Sequence, residues 1–170
     1  SMGIDGGAGD DALVADNLAN SWTVSGSNAG DLNGLDFTGV ENLVGGTEDD
    51  SFTFSDGAAV DGVIEGGADD DDDLVGDPGH GTIEEDDLAS DLVDFSAYAT
   101  AVTVDLDASE ATGMGSFVNV DSFTGGASTG DEVVGPDVPS LFWSVTGPDE
   151  VSVANVFFAG FENLTGADDN

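Results

Sequence analysis

The sequence predicts an all-β fold: a right-handed parallel β-helix or β-solenoid with Gly-Asp turns, with an antiparallel β-sandwich as the alternative. Three observations lead there. Short runs rich in β-branched and aromatic residues recur along the 170 residues, and such residues suit the half-buried pleated surface of a strand. Within the runs apolar and polar residues alternate, as in Phe52-Thr-Phe54 and Val102-Thr-Val104-Asp-Leu106, so one face is buried and the other wet. Between them return glycine-rich acidic corners: IDGGAGDDALV at 4–14, GGTEDDSFTF at 45–54, GGADDDDDLV at 66–75, GGASTGDEVV at 125–134 and TGADDN at 165–170. Equivalent turns lying above one another suit a stacked array, although short alternating strands suit a sandwich equally well.

In chain order the expected strands are Trp22–Val24, Leu35–Phe37, Phe52–Phe54, Val60–Ile64, Ala101–Leu106 and Phe117–Val120, punctuated by Gly, Asp and Asn. Residues 69–94 are the least strand-like. There the run Asp69–Asp73, the turn Asp77-Pro-Gly-His-Gly81 and Glu84-Glu-Asp-Asp87 read as a loop-rich insertion. Leu88 and Leu92, four apart, allow a short helical turn within Ile83–Leu92.

The chain also repeats itself. Trp22-Thr-Val-Ser-Gly26 matches Trp143-Ser-Val-Thr-Gly147, and Gly39-Val-Glu-Asn-Leu43 matches Gly160-Phe-Glu-Asn-Leu164, both at an offset of 121. The same offset carries Asp10 onto Asp131 and Asp11 onto Glu132, with Gly6-Gly7 meeting Gly125-Gly126 after a two-residue insertion. Residues 4–170 therefore read as a single β-repeat module, a long unit 4–122 and the start of a second at 123–170, drawn from a longer polypeptide. Ser1-Met2-Gly3 reads as a remnant of recombinant expression.

Composition restricts function sharply. Hydrophobic residues make up 39%, enough for a core, and there are no cysteines for disulfides or thiolate metal sites. Against 37 Asp plus Glu stands no Lys or Arg, a formal charge of −37. Binding to a nucleic-acid backbone requires basic residues, attraction to anionic membrane surfaces likewise, and no apolar run approaches the roughly 20 residues of a membrane span. Schiff-base and P-loop lysines are excluded as well. Charge of this size opposes compaction unless ions screen or bind it.

Gly6-Gly-Ala-Gly-Asp-Asp-Ala-Leu-Val14 fits the nonapeptide pattern G-G-x-G-x-D-x-U-x at every specified position. In this it resembles the haemolysin-type calcium-binding (RTX) repeat family. The resemblance implies turns whose carbonyls and aspartates supply hard oxygen ligands to calcium, with Asp11 at the sixth place and Leu13 turned inward. In the second copy it places Asp50 and Phe52 in those roles, with Glu48 in place of the third glycine. In the third it places Asp71, with Leu74 one position late. The fourth, two residues longer, offers Asp131 and Glu132. The candidate metal ligands are thus Asp10, Asp11, Asp49, Asp50, Asp69, Asp71, Asp131 and Glu132. RTX repeats follow one another directly, whereas these copies lie roughly 20 to 60 residues apart, so a few sites are expected rather than a continuous row.

The resemblance implies a non-enzymatic module with structural calcium, part of a large secreted or surface-attached bacterial protein of adhesin type. Its expected partners are calcium ions, neighbouring repeats of the same chain, and glycans or other cell-surface components. Two other readings stay open: a carbohydrate-binding or polysaccharide-processing β-helix, and an acidic halophilic surface domain without specific ion sites. The single histidine, His80, lies in a Pro-Gly-His-Gly turn without a G-x-S-x-G nucleophile motif. Trp22 and Trp143 occupy matched positions and read as packing residues before sugar platforms.

Overall fold

The computed structural model describes residues 2–67, 91–138 and 140–166. These contain strands and turns but no helix. The strands are β1 (Ile4–Asp5), β2 (Ala12–Val14), β3 (Ser21–Gly26), β4 (Ala29–Leu32), β5 (Leu35–Thr38), β6 (Asn42–Gly46), β7 (Ser51–Phe54), β8 (Val60–Gly67) and β9 (Leu92–Asp94). There follow β10 (Thr103–Asp105), β11 (Glu110–Ala111), β12 (Met114–Val118), β13 (Ser122–Thr124), β14 (Glu132–Val134), β15 (Ser144–Gly147), β16 (Glu150–Val153), β17 (Val156–Ala159) and β18 (Asn163–Thr165). The expected insertion and helical turn lie largely outside the described residues; Leu92 opens β9.

Two sheets result. The first has the order β1-β5-β4-β3-β7-β9-β13-β17-β16-β15, the second β18-β14-β10-β11-β12-β8-β6-β2. Along the chain the two are visited in strict alternation: β1, then β2; β3–β5, then β6; β7, then β8; β9, then β10–β12; β13, then β14; β15–β17, then β18. Parallel neighbours need a crossover between them, and here a strand of the opposite sheet supplies it.

Parallel pairing puts equivalent inward residues directly above one another. One column runs Trp22, Phe52, Val93, Phe123, Phe158 through β3, β7, β9, β13 and β17. A second runs Leu13, Leu43, Ile64, Phe117 through β2, β6, β8 and β12, and a third Val104, Val133, Leu164 through β10, β14 and β18. Neighbouring strands lie about 4.8 Å apart, so flat rings in register stack. Trp22 lies on Phe52 with centroids 5.5 Å apart and planes at 15°, and Phe123 on Phe158 at 5.5 Å and 8°. Such pairs add about 0.5–1.5 kcal/mol each beyond area burial. Phe37 closes the other side of Trp22 edge-on at 6.1 Å. Inward residues from both sheets form one cluster.

The sheets are mixed, which departs from a purely parallel array. β4, β11 and β16 are antiparallel to both neighbours, making three-stranded meanders β3-β4-β5, β10-β11-β12 and β15-β16-β17. The cause is turn chemistry. Asn33-Gly34 and Ala154-Asn155 take positive φ at both residues, as the tight turns that join antiparallel strands require.

Candidate functional site

The glycine pairs stand where the chain leaves one sheet for the other, and close packing dictates their identity. A Cβ on Gly45 would lie 2.1 Å from both Asp50 Oδ2 and the Gly66 carbonyl oxygen. One on Gly66 would lie 2.2 Å from Asp91 Oδ2 and 2.0 Å from the Asn119 carbonyl oxygen. The aspartate ahead of the next strand thus folds back over the first glycine of the pair, while the adjoining rung presses a carbonyl onto the same spot. Gly6 and Gly125 repeat the arrangement against the Gly39 and Gly160 carbonyls, beside Asp11 and Asp131.

The acidic residues of these corners bond from rung to rung. Asn20, Asp50, Asp91 and Asp121 immediately precede β3, β7, β9 and β13 and are level in register. Asn20 N–H donates to Asp50 Oδ1 at 2.8 Å, Asp50 N–H to Asp91 Oδ1 at 2.7 Å, and Asp91 N–H to Asp121 Oδ2 at 3.0 Å. Carboxylates accepting backbone N–H groups form charge-assisted bonds. They also satisfy donors at the buried ends of the strands, since Asn20, Asp50 and Asp91 are all buried. Elsewhere Asp11 N–H donates to Glu41 Oε2 at 3.0 Å, and Asn28 Nδ2 to Glu41 Oε1 at 3.0 Å.

The sequence-predicted ligands separate accordingly. Asp131 is fully buried and both its oxygens are engaged, Oδ1 accepting from Val102 N–H at 2.9 Å and Oδ2 from Gly126 N–H at 2.7 Å. Asp10 is exposed and accepts from Asn42 Nδ2 at 2.8 Å. Glu132 accepts from the Thr165 hydroxyl, and Asp49 is exposed. Asp69 and Asp71 lie outside the described residues. At the third Gly-Gly corner the aspartate that folds back over Gly66 is Asp91. Its signal was present: Asp91-Leu-Val-Asp-Phe95 echoes Asp50-Ser-Phe-Thr-Phe54.

The register also corrects the repeat alignment. The carbonyl oxygen of Asp11 accepts from Asn42 N–H and Nδ2, and that of Asp131 from Asn163 N–H and Nδ2. Asp11, not Asp10, is therefore the counterpart of Asp131.

Two carboxylates stand out chemically. Asp11 Oδ2 and Asp50 Oδ2 are buried oxygens without a hydrogen-bond partner, in the first and second Gly-Gly corners. Burial raises the Asp50 pKa, bonding from Asn20 opposes the shift, and repulsion from Asp49 and Asp16 adds to it. A bare anionic oxygen beside a carbonyl calls for a proton or a cation. Among the described residues no group of three or more acidic or histidine side chains converges on one point, so any ion there would depend on backbone oxygens and water. Trp22 is completely buried, its Nε1 unpartnered, and cannot serve as a sugar platform; Trp143 is half-buried. His80 is outside the described residues.

No protein-family model, curated protein or solved structure matches the chain.

Proposed function

We propose that the chain is a non-enzymatic structural repeat module, wound as a two-sheet β-solenoid and stabilised by calcium, within a large extracellular bacterial surface protein. The alternation of strands between sheets, with parallel columns of inward residues, supports the wound architecture. Calcium rests above all on the unpartnered inner oxygens of Asp11 and Asp50. A hard cation at the second corner would be held by Asp50 Oδ2 with the Gly66 carbonyl, completed by water, as calcium's preference for oxygen ligands allows. At the first it would be held by Asp11 Oδ2. Asp131, whose oxygens are both committed to backbone donors, holds its corner without an ion.

The mechanism is linkage. A cation that binds the folded corners and hardly binds the unfolded chain stabilises by mass action, by about 2.7 kcal/mol at a hundredfold excess over Kd, and offsets part of the repulsion among 37 carboxylates. The test is thermal melting in EDTA, in millimolar calcium, and in magnesium or sodium at matched ionic strength. Calcium should raise Tm beyond the others, and Asp11→Asn with Asp50→Asn should remove that increment. Equal rescue by sodium would reduce the effect to screening and dispose of the specific sites.

A further inference from the structure

One cleft among the described residues is marked by what it leaves out. It has a volume of about 380 Å³ and is lined chiefly by Leu106, Phe117, Val118, Val120, Pro136 and Val156. Acidic residues make up 37 of the 170 in the chain, yet none of the nine residues lining this cleft is charged. Ligand clefts of about 300–1,000 Å³ share that character, mostly apolar with a few polar groups; here Ser109 and Asn119 are the polar ones.

The cleft is internal to the stack. Leu106 follows β10, Phe117 and Val118 end β12, Val120 leads toward β13, Pro136 comes after β14, and Val156 opens β17. Each of those strands has a hydrogen-bonded neighbour on both sides, so the opening does not come from an unpaired edge. Phe117 and Val120 are buried, and Phe117 is held edge-on against Phe123 with centroids 5.0 Å apart, which fixes an apolar floor in advance of any partner. Val118 lines the same cleft and is 48% exposed.

Acid surrounds it. Asp107, Glu110, Asp121 and Asp137 directly follow the lining residues Leu106, Ser109, Val120 and Pro136. Asp107, Glu110 and Asp137 are exposed, and Asp137 N–H donates to Asp107 Oδ1 at 3.1 Å, so those two acids stand together. An apolar floor within an acidic rim complements a segment that carries apolar side chains on one face and lysine or arginine beside them. The 170 residues contain neither lysine nor arginine. A second copy cannot supply the cation, and the occupant is a different molecule. We propose that this cleft docks a basic amphipathic segment of a partner protein, a large apolar side chain seated on Phe117 and Val156 and flanking lysines or arginines set against Asp107 and Asp137. Rim charges of this kind steer encounter and select the partner, while the apolar contact holds it.

Fluorescence anisotropy tests it with a labelled peptide that has leucines at i, i+3 and i+4 spacing and lysines elsewhere, against an isomer of the same composition scrambled to lose the apolar face. The ordered peptide should saturate at one per chain and bind about tenfold or more tightly than the scrambled isomer. Val118→Asp decides the sign. An added negative charge strengthens a purely electrostatic attraction to a cationic peptide, whereas an unpaired carboxylate facing a seated apolar side chain should weaken docking by about tenfold or more. Asp107→Asn with Asp137→Asn should weaken binding a few-fold, more than Asp5→Asn with Asp36→Asn, an equal loss of charge at exposed residues of β1 and β5. Melting curves like the native chain's show that each variant is folded, and Val118→Asn, which should also weaken docking, takes the place of Val118→Asp if the latter is not. Equal binding of the two peptides, unchanged or tighter binding by the Val118 variant, or equal effects of the two asparagine pairs would each overturn the proposal.

Discussion

Replacing Asp50 with asparagine should stabilise the calcium-free protein at neutral pH. Asp50 Oδ1 accepts the Asn20 N–H, and the asparagine carbonyl retains that bond. Oδ2 is buried and unpartnered, with the Gly66 carbonyl oxygen at the same 2.1 Å from the Gly45 Cβ position. Asparagine puts a neutral amide where a buried, unpartnered carboxylate oxygen stands, so the cost of burying that unpaired group falls. Leaving a buried polar group unsatisfied costs about 1–3 kcal/mol, so a gain of that size is expected. For a domain of this length about 1 kcal/mol moves Tm by roughly 2–4 °C, which predicts a rise of about 2–12 °C in EDTA.

The sign with pH follows from the direction of the shift. Burial raises the Asp50 pKa in the folded protein above its ordinary value of 3.8. The stability contributed by the neutral acid is fully present below the unfolded pKa and is lost as pH rises through the folded one. The native chain should therefore gain stability as pH falls from neutrality toward about 4, and Asp50→Asn should remove this contribution to the slope. Circular-dichroism melts of both proteins across that range, in EDTA at constant ionic strength, make the comparison. A substituted protein that melts lower than native in EDTA would refute the reasoning, because Oδ2 would then be a satisfied and stabilising anion.

Asp131→Ala strips partners from the Val102 and Gly126 N–H groups; it should cost about 1–3 kcal/mol for each donor left unsatisfied, while the calcium increment in Tm stays unchanged. Gly45→Ala drives a Cβ into Asp50 Oδ2 and the Gly66 carbonyl and should lose about 1–3 kcal/mol or more by overpacking, whereas Gly26→Ala, whose nearest neighbour would be 3.7 Å away, should cost less in the same urea titration. Tyr98→Phe removes the hydroxyl that donates to the Ala58 carbonyl and should cost about 0.5–1.5 kcal/mol. Burial and the Asp56 charge raise the Tyr98 pKa above 10.0, so the native chain should lose this contribution only as pH climbs through that raised value, an alkaline step that an absorbance titration should find missing from the substituted protein.

Much of the β architecture was legible in the residues. Alternation placed Phe52, Phe54 and Val104 inward, and all three are completely buried; short strands over Trp22–Val24, Leu35–Phe37 and Val60–Ile64 follow from the same local pattern. Strands beyond the six expected ones include β4 and β11, whose composition is not strand-like, and others such as β16, whose Glu150-Val-Ser-Val153 alternates as a strand does. Ala29-Gly-Asp-Leu32 is a strand because turns at positive φ on both sides fold it between β3 and β5. The Gly-Asp corners were equally visible, but their meaning was not. A nonapeptide match says which residues stand in a turn, not whether a carboxylate points outward to an ion or inward to an N–H group.

By itself, then, the sequence determined an all-β chain, its acidic corners, its duplication and the absence of any lysine or arginine for chemistry that needs one. Tertiary structure decided which aspartate serves which glycine. Asn20, Asp50, Asp91 and Asp121 are 30 to 41 residues from their partners, and Asp91 reaches Gly66 only because residues 66 and 91 are brought together between adjoining rungs. Stacking register, a property of the assembled sheets, sets those distances. No local spacing encodes them: Asp91, which folds back over Gly66, follows it by 25 residues, beyond the reach of a nonapeptide pattern.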